Sequence, residues 1–130
     1  MVVPAELLLD GILRFLKGDQ VTEFRYILDH VGSDEVLAQL EEECGELIQA
    51  AAKLRRAMSQ KNPTPVSFED ARDMLVEEFA DVCLCADILG VHPESLQVFL
   101  VKEKKLQRWC GRINREECEK ETKNDASRDT

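Results

Sequence analysis

Apolar residues recur along this chain at steps of three and four, the spacing of one face of an α-helix. No stretch alternates regularly between apolar and polar residues, as a half-buried strand does. Glycine, proline and serine residues separate the periodic stretches and supply caps and breaks. The sequence therefore predicts an all-α fold, an antiparallel bundle of four to five helices.

These breaks predict where the helices begin and end. Pro4 opens the first helix and Gly18 closes it, because proline suits a first turn and glycine suits a helix end. Ser67, with Asp70 three residues later, resembles a capping box. A loop is predicted from Lys61 to Val66, and the remaining helices are predicted from Thr22 to His30, from Ser33 to about Ser59, from Ser67 to Leu89, and from Pro93 to about Ile113.

The residues from Asn114 to Thr130 carry almost no apolar side chains. A segment that buries no apolar surface does not offset the entropy lost when it becomes ordered. We therefore predict one domain over residues 1–113, followed by a charged tail over residues 114–130 that is frayed or disordered.

Acidic residues of the third helix lie beside its apolar stripe. At about 100° per residue, Glu43 falls on the flank of this stripe and Glu46 on its edge, whereas Glu42 points further outward. The stripe itself consists of Leu37, Leu40, Cys44, Leu47, Ala51, Leu54 and Met58.

The fourth helix has a carboxylate within its apolar stripe. Glu78 fills the position that the spacing reserves for an apolar residue, and Asp81 joins it on the inner face. The other members of this stripe are Ala71, Leu75, Val82, Cys85 and Leu89. A hairpin turn near residues 60–67 brings these acids to the level of Glu43 and Glu46. Because clustered carboxylates repel and lose hydration, they predict either protonation or a bound divalent cation.

A row of basic residues follows one side of the last helix. Lys102, Lys105 and Arg112 lie beside its apolar positions, and Lys102 is predicted near the height of Asp81. A metal together with a row of cations suits a polyphosphate, so we expect these three residues to bind substrate phosphates.

The composition of the chain argues against several classes of function. The chain has 130 residues and a formal net charge of -9, which opposes a phosphate backbone, so no nucleic-acid polymer is predicted as a partner. Its five cysteines form no C-x-x-C pair and it has only two histidines, so no zinc site is predicted. With no apolar run near the ~18 residues of a membrane span and no signal-peptide pattern, we expect a cytoplasmic protein without membrane contact.

Apolar residues also lie off the main stripe of the fourth helix. These residues are Val76, Phe79, Cys83 and Leu84. A second apolar face indicates a second buried surface, and we expect a homodimer or a homotetramer.

Two short motifs carry a resemblance to a known family. Glu42-Glu43-Cys44-Gly45-Glu46 and Glu78-Phe79-Ala80-Asp81 resemble the E-E-x-x-E and E-x-x-D motifs of MazG-like nucleoside triphosphate pyrophosphohydrolases. The resemblance covers roughly residues 33–113. The segment between the motifs is long for that family, and residues 1–32 have no counterpart in it.

The resemblance implies an oligomeric all-α enzyme that uses Mg²⁺, with Mn²⁺ as an alternative. Such an enzyme hydrolyses a nucleoside triphosphate between its α and β phosphates to a monophosphate and pyrophosphate. Carried over by position, Glu43, Glu46, Glu78 and Asp81 would be the metal ligands. Glu42 and Glu43 would be the catalytic residues, with Glu42 acting as a further ligand or as the base that orients water.

Two other readings compete with this one. A di-iron carboxylate bundle needs E-x-x-H pairs, and no histidine follows these glutamates at that spacing. A non-catalytic helical oligomerisation or adaptor protein with a weak or silent metal site would have the same apolar seams. Stabilisation by Mg²⁺ distinguishes it from an enzyme with a carboxylate site.

Overall fold

The computed structural model describes residues 3–17, 20–59 and 61–128. Within these ranges the chain forms five helices and no strand, which confirms the predicted all-α fold. The helices are α1 (Ala5–Lys17), α2 (Gln20–Val31), α3 (Ser33–Ser59), α4 (Phe68–Ile88) and α5 (Leu96–Arg128). The chain divides into two compact units, Met1–His92 with α1 to α4 and Pro93–Thr130 with α5.

Local backbone chemistry accounts for several of the helix boundaries. The hydroxyl of Ser67 accepts a hydrogen bond from the Asp70 N–H at 3.1 Å, which confirms the predicted cap of α4. Gly32 separates α2 from α3 and Gly90 follows α4, with φ angles of 88° and 79° that glycine adopts without steric cost. The predicted helix end at Gly18 lies outside the described residues.

The first turn of α5 differs from the prediction. The hydroxyl of Ser95 accepts a hydrogen bond from the Val98 N–H at 3.3 Å, so Ser95 caps a helix that begins at Leu96. Pro93 therefore precedes the helix instead of standing in its first turn.

The predicted end of this helix near Ile113 is also wrong, because α5 continues to Arg128. Glutamate, lysine and arginine are good helix formers, and Glu116 stands four residues before Lys120, an arrangement that stabilises a helix. Helix propensity thus accounts for the continuation of α5 beyond Ile113, because this segment has almost no apolar side chains to bury. The domain boundary at residue 113 stays a prediction.

Helices α3 and α4 form the antiparallel centre of the first unit, and α2 packs at one end of the pair. The buried side chains at that end are Val36 of α3 and Cys85 and Ile88 of α4. Partly buried residues of α2 pack against them, namely Phe24, Ile27 and Leu28. The acids in the middle of α3 and α4 therefore lie beyond a small apolar core.

The buried stripe of α3 is rotated relative to the predicted one, with which it shares only Leu40, Leu47 and Leu54. Leu37 is 47% exposed and Met58 is 65% exposed, whereas Val36 and Ala50 are buried. The face that packs consists of Val36, Leu40, Glu43, Leu47, Ala50, Leu54 and Ala57, all of them buried or half-buried. Because α2 packs against Val36, this side of α3 faces inward, and Glu43 lies within the stripe instead of on its flank.

The predicted stripe of α4 agrees with the structure. Ala71 and Cys85 are buried, and Leu75, Val82 and Leu89 are half-buried. Glu78 is half-buried within this stripe.

Several large apolar side chains remain exposed in the first unit. On α1 they include Leu7, Leu8 and Leu9, and on α4 they include Val76 and Phe79. No helix within the described ranges combines the length and the apolar character needed to span a bilayer.

Candidate metal site

Three carboxylates of α3 and α4 converge in the middle of the first unit. One carboxylate oxygen from each of Glu43, Glu46 and Glu78 lies within 4.8 Å of the others. Glu43 and Glu78 are half-buried, and Glu46 is exposed. The structure thus brings together three of the four residues that the resemblance implied as metal ligands. We call these three residues the acidic trio.

The fourth implied ligand, Asp81, lies beside the acidic trio. It is half-buried one turn after Glu78, and its charge contributes to raising the pKa of Glu78. It stands outside the group whose oxygens meet within 4.8 Å. Glu42 is exposed and also outside this group, in line with its predicted outward direction.

The electrostatics of the trio penalise ionisation of Glu78. Loss of hydration raises the pKa of Glu78, and the nearby charge of Glu46 and a hydrogen bond with it raise this pKa further. A divalent cation bound by the same oxygens would remove this repulsion. Carboxylate oxygens are the donors that hard cations such as Mg²⁺ prefer, so the donor set fits the implied metal.

Gln39 orients one member of the trio, and sequence reasoning missed it. Its amide Nε2 donates a hydrogen bond to Glu43 Oε1 at 2.6 Å. Partners of this kind fix the orientation of metal-binding carboxylates. The spacing of four residues between Gln39 and Glu43 on a helix is the signal that would have found it.

An apolar cavity of about 280 Å³ lies between α2, α3 and α4 on one side of the trio. Glu43 and Asp81 form part of its wall, so it opens next to the acids. Its aliphatic wall consists of Ile27, Val31, Val36, Leu84 and Ile88. Sequence reasoning missed this cavity because part of its wall, Ile27 and Val31, comes from α2, which has no counterpart in the resemblance.

A second cavity, of about 230 Å³, lies between α3 and α4 on the other side of the trio. We call it the polar cavity. Glu46 and Glu78 form one part of its wall, and Lys53 forms another. Its remaining lining residues are Gln49, Ala50 and Met74.

The basic residues predicted to bind phosphate are found on α5. Lys102, Lys105 and Arg112 are all exposed there, in the second compact unit. Their role in binding substrate phosphates stays a prediction.

The chain was also compared with known proteins. It matches no family model, no curated protein and no solved structure. The MazG-like assignment is a hypothesis that rests on the residues of the two motifs.

Proposed function

We propose that this chain is a Mg²⁺-dependent nucleoside triphosphate pyrophosphohydrolase. The observation that carries the proposal is the acidic trio, whose oxygens lie within 4.8 Å of one another, with Glu43 and Glu78 half-buried and Glu46 exposed. Packing alone would favour apolar residues at the half-buried positions of Glu43 and Glu78. A cluster of like charges at such a place is best explained by a cation that offsets their repulsion.

The surroundings of the trio favour a nucleotide over a simple inorganic phosphate. Mg²⁺ is commonly bound by a few protein carboxylates together with substrate phosphates. The apolar cavity beside Glu43 and Asp81 offers space for an organic group attached to those phosphates. The resemblance of the two motifs to MazG-like enzymes supports the choice of the α–β phosphoanhydride as the bond that is cleaved.

Each acidic residue has a task in this proposal. Glu43, Glu46 and Glu78 hold Mg²⁺, and Asp81 completes the ligand set on the inner face of α4. When bound, Mg²⁺ supplies neutralisation of the negative charge on the phosphate oxygens. Glu42 and Glu43 remain the proposed catalytic residues, with Glu42 orienting the attacking water and accepting its proton.

The reaction consumes one water molecule per nucleotide. The bridging bond between the α and β phosphates breaks, and the oxygen of water joins the phosphorus that loses it. The products are a nucleoside monophosphate and pyrophosphate, and a proton is released. The protein needs little covalent chemistry of its own, because positioning and charge stabilisation supply most of the catalysis of phosphoryl transfer.

The direct test is incubation with Mg²⁺ and each common ribo- and deoxyribonucleoside triphosphate. Monophosphate, diphosphate, pyrophosphate and phosphate are separated and quantified. We expect monophosphate and pyrophosphate, and a loss of about 100-fold or more in the Glu78→Gln variant. Glu77→Gln is the matched control, because its neighbouring carboxylate is exposed and outside the trio. Diphosphate with phosphate as products would mean that another bond is cleaved.

An adaptor or oligomerisation protein is the second candidate. The observation that favours it is the exposure of Leu7, Leu8 and Leu9 on α1, at 64%, 54% and 60%. A working metal site would add about 2.7 kcal/mol of stability at about 100 times the Kd for Mg²⁺, whereas an adaptor without one would gain nothing. Absence of both turnover and a Mg²⁺-dependent rise in Tm would favour the adaptor.

We further propose that the enzyme acts in the cytoplasm and assembles as a homodimer or homotetramer. The exposed apolar residues of α4 support the assembly, because Val76 is 51% exposed and Phe79 is 56% exposed.

A further inference from the structure

The two cavities lie on opposite sides of the acidic trio along the α3–α4 pair. The apolar cavity is lined by residues from 35–43 of α3 and 81–88 of α4. The polar cavity is lined by residues from 46–53 of α3 and 74–78 of α4. A ligand whose central group is held by the trio therefore has an apolar space at one end and a polar space at the other.

Lys53 is the cation of the polar cavity. It stands seven residues, about two helical turns, after Glu46 and is half-buried. Within the part of the chain that the structure describes, its ammonium group has neither an ion pair nor a hydrogen bond. The Gln49 amide in the same cavity is also without a hydrogen-bond partner among the described residues. Two donor groups are thus available there to an anion that extends beyond the trio.

We propose that Lys53 binds the terminal phosphates of the substrate, the ones that leave as pyrophosphate, and thereby sets the direction in which the nucleotide lies. This inference rests on the function proposed above. A lysine ammonium binds phosphate as a point charge, and a neighbouring amide adds a hydrogen bond. The nucleoside then extends the other way into the apolar cavity, and the α–β bond lies at the trio. Lys53 is a substrate-binding residue in addition to the basic row predicted on α5.

The test compares Lys53→Ala, Lys53→Arg and Arg55→Ala with the unmodified protein. Arg55 is the matched control, because it is an exposed cation of the same helix and does not line the polar cavity. We measure binding of inorganic pyrophosphate in the presence of Mg²⁺ by calorimetry, and inhibition of hydrolysis by pyrophosphate and by the nucleoside monophosphate.

Lys53→Ala is expected to weaken pyrophosphate binding and to raise KM for the triphosphate by about tenfold or more, the loss expected for a charge-assisted hydrogen bond. Inhibition by the monophosphate should not change. Lys53→Arg should restore most of the pyrophosphate binding, and Arg55→Ala should behave as the unmodified protein does. A retained rise of Tm with Mg²⁺ will show that Lys53→Ala folds and keeps its metal site.

Three results would overturn the inference in different ways. If the unmodified protein makes monophosphate and pyrophosphate but Lys53→Ala binds pyrophosphate as tightly as before, the role of Lys53 is wrong and the proposed function stands. Equal weakening of monophosphate and pyrophosphate would contradict the proposed direction of the nucleotide. If the unmodified protein hydrolyses no nucleotide, the proposed function fails, and the role of Lys53 fails with it.

Discussion

Glu78 is a carboxylate at a position of α4 where the spacing of apolar residues predicts an apolar side chain. In the folded chain, lost hydration and the nearby Glu46 raise its pKa above the ordinary value of 4.5. The folded state therefore holds a proton on Glu78 at a pH where the unfolded state has released it. Stability falls as pH rises through the interval between the two pKa values, and above that interval the ionised Glu78 destabilises the metal-free fold.

The raised pKa of Glu78 gives a prediction for the thermal stability of the metal-free protein, which is measured in the presence of a chelator. At neutral pH, Glu78→Gln should have a higher Tm than the unmodified protein, because the amide removes one repelling charge. The difference should shrink and disappear as pH falls below the ordinary carboxyl pKa of 4.5. Thermal unfolding measured over a series of pH values checks this, with Glu77→Gln as the control. A lower Tm for Glu78→Gln at neutral pH would contradict the repulsion.

Gln39 gives a second prediction at this scale. Its hydrogen bond to Glu43 at 2.6 Å holds the carboxylate in one orientation. Gln39→Leu keeps a similar side-chain volume but removes the amide, so the Mg²⁺ concentration needed for half-maximal stabilisation should rise by about tenfold. A titration of Tm with Mg²⁺ measures it. An unchanged titration would mean that Gln39 does not position the metal ligand.

The sequence predicted four acids that meet, of which the structure brings three within 4.8 Å, and it did not predict their full surroundings. Glu43, Glu46 and Glu78 follow from helical spacing and from the position of the turn between the motifs. The place of Asp81 beside the trio depends on how α4 packs against α3, and the exposure of Lys53 to the polar cavity depends on how α3 is rotated about its axis. That rotation is set by tertiary packing, which spacing along one helix does not contain.

At the scale of the helix, α3 shows why the rotation of a helix about its own axis is difficult to predict from sequence. Two overlapping series of apolar residues run along it with the same spacing, one that includes Leu37 and Ala51 and one that includes Val36 and Ala50. Both predict a helix with the same boundaries. The packing of α4 along α3, together with that of α2 against Val36, decides which series is buried, and this packing brings together residues far apart in the sequence.

The neighbouring alanines of α3 test this rotation directly. Ala50 is 3% exposed, whereas Ala51 is exposed. Ala50→Leu should lower the free energy of unfolding by about 1–3 kcal/mol, because Ala50 is covered by neighbouring residues that a larger side chain must displace. Ala51→Leu should change it by less than about 0.5 kcal/mol. Urea denaturation measures both, and the opposite order would support the stripe through Leu37 and Ala51.

For the whole molecule, the pattern predicted the number of helices better than the length of the last one. Breaks at Gly32 and Gly90 are strong local signals, and the structure has a positive φ angle at both. The end of α5 lacks such a signal. Beyond Ile113, helix propensity favours continuation and the lack of apolar residues favours disorder, so burial and propensity give opposite predictions for that segment.

At the scale of the whole molecule, the exposed apolar surface of α4 predicts assembly into an oligomer. Val76 and Phe79 lie three residues apart on one side of α4 and are both about half exposed, at 51% and 56%. Burial of this surface against a second copy would remove a contiguous apolar patch from water. We therefore expect a homodimer or homotetramer in sedimentation velocity measurements, and a shift to smaller species in Phe79→Glu.

The control for this experiment is Ala51→Glu, which adds the same charge at an exposed position of α3 and leaves α4 unchanged. It should leave the sedimentation coefficient unchanged. If the unmodified protein is already a monomer, the exposed residues of α4 do not serve assembly. If both variants dissociate the oligomer equally, the added charge is responsible, and the loss of the Phe79 ring is not. Dissociation by Phe79→Glu alone would place the subunit interface on the side of α4 that carries Val76 and Phe79.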